Sequence, residues 1–134
     1  MASLIGVEGI GEVYAEKLAQ AGIGTTAALL EEGAKRSGRK AIAAKTGISE
    51  TLVLRWVNQV DLQRVKGIGG QYSDLLEAAG VDSVSELAKR SSEALHAQLA
   101  ESNAQKKLVR QLPTQVQVKS WIESAAQLPR VVEH

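Results

Sequence analysis

Val7-Glu8-Gly9-Ile10-Gly11 is repeated, 58 residues on, as Val65-Lys66-Gly67-Ile68-Gly69. The same shift carries Tyr14 onto Tyr72, Leu18 onto Leu76, Ala21-Gly22 onto Ala79-Gly80, and Leu29 onto Leu87. Nine of the 23 positions from 7 to 29 are identical without a gap, where average residue usage would give roughly one or two. Further on, Val53 and Trp56 fall on Val118 and Trp121 once seven residues are inserted in the second copy. A period of this kind is the mark of a duplicated structural unit. The halves are read as residues 1–61 and 62–134. The stretch between Val60 and Val65 lacks the composition of a flexible linker, which favours one rigid body.

Both copies read as helical. Tyr14, Leu18 and Ala21 recur at the spacing of one helix face, and Gly22 is a suitable stop. Thr25 or Thr26 can cap the next helix, and Ser83-Val84-Ser85-Glu86 reads as a capping box. Ser49 precedes a helix in which Leu52, Val53, Trp56, Val57 and Val60 share a face. Pro113 forces a break, Thr114 can cap, and Val118, Trp121, Ile122 and Ala125 line a last face. No stretch alternates like a strand. The expected class is all-α, a bundle of short helices of the SAM or helix-hairpin-helix type.

Gly-Ile-Gly between two short helices resembles the helix-hairpin-helix motif. Glycines permit the tight turn, the isoleucine plugs the core, and the amides that follow stand at a helix N-terminus, where they can accept a phosphate. The resemblance implies binding of nucleic-acid backbone without reading sequence, often by paired motifs. Lys45-Thr46-Gly47-Ile48-Ser49 looks like a degenerate third hairpin. Two departures matter. The positions after the second glycine hold Glu12-Val13 and Gly70-Gln71 rather than Lys or Arg, and Glu8 with Glu12 would repel a phosphate at the first hairpin. Arg64 and Lys66 make the second hairpin, with Gly67, Gly69 and Gly70, the better site. Both hairpins also read as turns that merely pack helices.

Lys35, Arg36, Arg39, Lys40 and Lys45 form a second candidate. Arg39 and Lys40 are expected at a helix start, where cations oppose the dipole and a bound anion would offset the penalty. The turn Ser37-Gly38-Arg39-Lys40 is therefore an expected anion site, against the alternative of a solvated loop. Lys106, Lys107 and Arg110 form a weaker patch in the second half. Tyr14, Tyr72, Trp56 and Trp121 are assigned to core packing ahead of base stacking. His96 reads as structural, and His134 as mobile.

A longer string of motifs carries a closer resemblance. It runs through Gly38-Arg39-Lys40, Thr46-Gly47-Ile48-Ser49, Trp56-Val57-Asn58 and Gly67-Ile68-Gly69. It continues with Leu75-Leu76-Glu77-Ala78-Ala79-Gly80-Val81-Asp82-Ser83-Val84, Leu108-Val109-Arg110, Pro113 and Trp121. Over about residues 4–132 the chain resembles a bacterial family of unknown function with tandem helix-hairpin-helix units. That family has a fold-level likeness to the helical, DNA-gripping part of flap endonucleases. The nuclease's acidic site has no counterpart in the string, so the likeness implies the fold and not the activity.

Composition narrows the function classes. The 134 residues include no cysteine, which excludes disulfides, thiolate metal sites and a cysteine nucleophile. No apolar run nears the ~18 residues that span a bilayer, and the first residues do not form a signal peptide. A cytoplasmic, non-membrane protein is expected. There is no phosphate-binding loop, no metal-binding His pair and no nucleophile elbow, and Glu16 and Asp74 alone do not make a metal-dependent nuclease site. No enzyme activity, cofactor, metal or small-molecule substrate is expected. With a net charge of +1, binding to DNA or RNA backbone must come from local patches. The other reading is a protein-interaction adaptor whose hairpins are scaffold.

Overall fold

The computed structural model describes Leu4, Val7 and residues 9–134. Among them are eight α-helices and no strand. The chain forms two compact units, Met1–Asp61 together with Val131–His134, and Leu62–Arg130. The first unit holds α1 (Glu12–Gln20), α2 (Thr26–Gly33), α3 (Arg36–Thr46) and α4 (Glu50–Leu62, whose last residue falls to the second unit). The second holds α5 (Gly70–Ala78), α6 (Val84–Ala88), α7 (Ser92–Lys106) and α8 (Gln115–Gln127).

Helix boundaries follow local chemistry. Thr25 accepts from the Ala28 amide to start α2, and the Ser49 hydroxyl accepts from the Leu52 amide to start α4. At Ser83 only half of the expected box forms. The Ser83 hydroxyl takes the Glu86 amide, but the Glu86 carboxylate accepts from Arg90 instead. The full reciprocal box stands at Thr114 and Gln117, directly after Pro113. α1 ends with Ile23 N–H reaching back to Leu18 O, and α5 ends with Val81 N–H on Leu76 O, both at 2.8 Å. These closures pass through Gly22 and Gly80, each with positive φ.

Each unit has its own apolar core. In the first, Ile10, Leu18, Leu29, Ile42, Trp56 and Val57 are buried; in the second, Ile68, Leu76, Leu87, Leu99, Val118 and Trp121. Tyr14 lies against Trp56 with ring centroids 5.2 Å apart, and Tyr72 against Trp121 at 5.3 Å, both tilted. Tilted aromatic pairs at this separation add to the area they bury. The tryptophans are in the cores and the tyrosines half-buried.

The end of the chain differs from the sequence reading. Residues 131–134, expected with the second half, pack on the first unit. There Val132 is buried in the apolar core, and Glu133 N–H donates to Ala34 O at 2.7 Å. His134, expected to be mobile, has Nε2 2.9 Å from Asn58 Oδ1.

Candidate nucleic-acid interface

The cations from Lys35 to Lys45 do not share one environment: Arg39 is buried and the other four are exposed. Ser37 and Gly38 are not a turn: α3 begins at Arg36, so Arg39 stands in its second turn. Arg39 is 4% exposed and points inward. Its Nη1 donates to Gly33 O at 2.9 Å and Ala34 O at 3.1 Å, and its Nη2 to Glu133 O at 2.9 Å. The first two are carbonyls at the end of α2, which lack intrahelical partners. Arg39 thus closes α2, with both terminal guanidinium nitrogens already on carbonyls. Burial, followed by the positive charge of Arg36, lowers its pKa from the usual arginine value; Glu50 and Glu133 act in the opposite direction. Lys35, Arg36, Lys40 and Lys45 remain exposed. Lys45 sits in the last turn of α3, and Lys17 in the last turn of α1. The two lysines line one open cleft with Gln20 and Thr46. A lysine in a last turn complements the helix dipole.

At the first hairpin, Gly9 has φ +91°, and the Trp56 indole Nε1 lies 3.1 Å from where a Cβ would stand. Gly11 is the N-cap of α1 and offers no side-chain cap, but exposed Glu12 fills the first turn. A carboxylate there suits the dipole and repels a phosphate. Glu8, the other acidic residue assigned to this hairpin, lies outside the described residues.

The second hairpin has the same local geometry without the acid. Val65 and Ile68 are buried, with Val65 N–H on Leu62 O and Ile68 N–H on Val65 O. Gly67 has φ +95°, and a Cβ there would stand 3.0 Å from Trp121 Nε1. A side chain at this position would meet both backbone strain and the indole. Gly69 is the extended N-cap of α5, with no side-chain cap, and Gly70 is the first helical residue. The amides that open α5 therefore have no side-chain cap, and uncapped amides at a helix start are donors that can hold an anion. Lys66 is exposed, with no hydrogen bond or ion pair among the described residues. Arg64 is half-buried and differs from expectation: its Nη2 donates to Pro129 O at 3.0 Å. That bond draws it toward the end of the unit's own chain.

Beside α5 lies a basic loop whose order the sequence did not reveal. α7 ends at Lys106, and Lys107 adopts the left-handed conformation with φ 51°. Asn103 grips Val109 at both polar atoms, with Nδ2 donating to Val109 O and Val109 N–H donating to Oδ1. The Tyr72 hydroxyl, in the first turn of α5, donates to Gln111 O at 3.1 Å. His96 Nε2 is 3.0 Å from Pro113 O. The loop is thus pinned at residues 109, 111 and 113, while the side chains of Lys106, Lys107 and Arg110 are exposed and make no hydrogen bond or ion pair among the described residues. The three cations were visible in the sequence. Asn103, four residues before the left-handed Lys107, was the one available hint that the loop is held.

Tyr72→Phe tests the link between α5 and this loop, because the ring packing on Trp121 survives and only the hydroxyl bond goes. A loss of about 0.5–1 kcal/mol is expected in urea unfolding, with amide shifts at Arg110 and Gln111. Unchanged shifts there would mean that Tyr72 does not hold the loop.

Charge differs between the units. Residues 62–130 carry nine Lys or Arg and seven Asp or Glu; the first unit carries seven and eight. Among the described residues no group of three His, Cys, Asp or Glu could hold a metal ion, and no helix is long and apolar enough to cross a membrane. No curated protein and no solved structure matches the chain. One family does, over residues 8–128, a stretch that includes both Gly-Ile-Gly segments and the pinned loop. On that match the chain belongs to the family described as a domain of unknown function, DUF4332.

Proposed function

We propose that this protein is a non-enzymatic binder of nucleic-acid phosphate backbone, indifferent to sequence, that uses the second unit. In this reading the units are two copies of one helix-hairpin-helix element, and only the second keeps a hairpin suited to phosphate. The observation that carries it is the uncapped start of α5 at Gly69-Gly70, with unpaired Lys66 before it and the pinned Lys107–Arg110 loop tied to it through Tyr72. Donors held in place before binding lose little freedom when a ligand arrives. Lys66, Gly67, Gly69 and Gly70 supply the hairpin contact, and Lys106, Lys107 and Arg110 the second. Lys35, Arg36, Lys40 and Lys45, without Arg39, give the first unit a basic patch of its own. The setting is the cytoplasm, which suits a chain with no cysteine.

Fluorescence anisotropy with labelled single- and double-stranded DNA and RNA tests the reading. Binding should fall steeply with salt, because each neutralised phosphate releases counterions. In Lys66→Glu, Arg110→Glu the affinity should drop about tenfold or more. The salt slope should fall by about two, roughly one for each phosphate that is no longer neutralised. Binding that ignores both substitutions would remove the second unit as the site.

A second reading, a protein-interaction adaptor, is favoured by the first hairpin. There Val13 is 68% exposed next to Glu12, a surface that suits a partner with an apolar and basic face. Absence of nucleic-acid binding at low salt would select this reading.

A further inference from the structure

The first unit holds residues Val131–His134 as a strap without secondary structure. The slot beneath it is built from the end of α2, from α3 and from α4, none of which belongs to the strap. Arg39 is oriented by the end of α2, because Nη1 is already spent on Gly33 O and Ala34 O. That leaves Nη2 for the strap, and it meets Glu133 O at 2.9 Å. Ala34 O accepts the Glu133 amide at 2.7 Å. Val132 is 1% exposed in the unit's apolar core, and His134 Nε2 meets Asn58 Oδ1.

This is recognition of a main chain plus one apolar side chain. The slot supplies a donor for a carbonyl, an acceptor for an amide and a space for a β-branched residue, the demands of an extended peptide. It also needs an occupant. With the strap away, a guanidinium nitrogen on a nearly buried arginine loses its acceptor, which is costly. The strap is attached through Leu128–Arg130, which carry no helix, with Leu128 extended at φ −88°, ψ 138°. Lifting it off breaks no helix. It also lies beyond residues 8–128, the stretch shared with the family.

We propose that this slot is a docking site for an extended segment, and that a second copy of this chain fills it with its own residues 131–134. The second copy is the partner chosen because its strap is the one ligand whose fit is visible, and every contact named above is made by the first unit. The tethered strap has an effective concentration of roughly millimolar order. The exchange therefore shows when the strap in cis is disabled, or when protein concentration is high. The inference does not depend on nucleic-acid binding.

Two full-length variants test it. Arg39→Met weakens the slot and keeps the strap; Val132→Asp ejects the strap and keeps the slot. Each alone should sediment as a monomer. Mixed in equal amounts at several hundred micromolar, they should form a one-to-one dimer. No dimer, with both variants retaining helical circular dichroism, overturns the proposal. If Arg39→Met fails to fold, a synthetic peptide of residues 128–134 replaces it as donor. Titrated into the Val132→Asp chain, it should shift the Ala34 and Arg39 amides and the Asn58 side chain. No shifts, or equal shifts with a scrambled peptide, overturn the proposal.

Discussion

Trp121→Ala is expected to destabilise the second unit by about 3–5 kcal/mol, the range for emptying a buried aromatic site. Trp121 is 3% exposed, packs on Tyr72 with ring centroids 5.3 Å apart, and backs Gly67. Its loss therefore removes the floor of the hairpin as well as core volume. Urea unfolding followed by circular dichroism reads the stability, and anisotropy reads nucleic-acid binding. Trp121→Phe should recover part of the stability, since an aromatic ring returns to the site. A loss below about 1 kcal/mol for Trp121→Ala would show that the site collapses around the gap and that the indole does not hold the hairpin. Under the proposed function, nucleic-acid binding should fall with the Gly67 turn even at temperatures where the variant is still folded, which separates support of Gly67 from simple unfolding.

Gly38→Ala is expected to destabilise the first unit by about 3 kcal/mol, although helix propensity alone favours alanine by about 1 kcal/mol. Gly38 lies in the first turn of α3, where a Cβ would stand 1.9 Å from Glu32 O. That oxygen is backbone in α2 and cannot rotate away, so the two helices must separate. Separation would also pull Gly33 O and Ala34 O from Arg39. Ser37→Ala is the control. Ser37 is an exposed neighbour in the same turn, so only propensity acts, and stability should stay level or rise by a few tenths of a kcal/mol. If Gly38→Ala matches this control, α2 and α3 do not approach so closely.

The strongest sequence signals concerned features closed within a few residues. Gly67 needs a positive φ because of the turn that surrounds it, and Ser49 and Thr114 cap helices that begin at the next residue. The buried faces of α4 and α8 were legible for the same reason. Val53, Trp56, Val57 and Val60 recur at helical spacing, as do Val118, Trp121 and Ala125, and all are buried. Where a local signal had two outlets, it was misread. Glu86 was in reach of the Ser83 end of α6 but found Arg90 one turn further on.

The candidate site was legible in part. Gly67 has the positive φ of a tight turn and Gly69 is the N-cap of α5, both set by a few residues of chain. The roles of the arginines were not legible. Arg39 and Arg64 look like Arg36 in the sequence, yet Arg39 is buried on three carbonyls and Arg64 reaches Pro129 O. A guanidinium serves equally well on a phosphate or on the orphan carbonyls of a helix end. Which it meets depends on the packing around it, and one of Arg39's acceptors is 94 residues away in sequence.

By itself, then, the sequence determined the helical class, the caps at Ser49, Ser83 and Thr114, the glycine turns and the apolar faces, since each follows from torsional preference and periodicity within one or two turns of chain. Tertiary structure alone decided that Arg39 turns inward, that the Lys107–Arg110 loop is pinned by Asn103, Tyr72 and His96, and that residues 131–134 return to the first unit. These depend on which orphan donors and acceptors come within about 3 Å of one another, and residues far apart in the chain reach that distance only after the helices have packed.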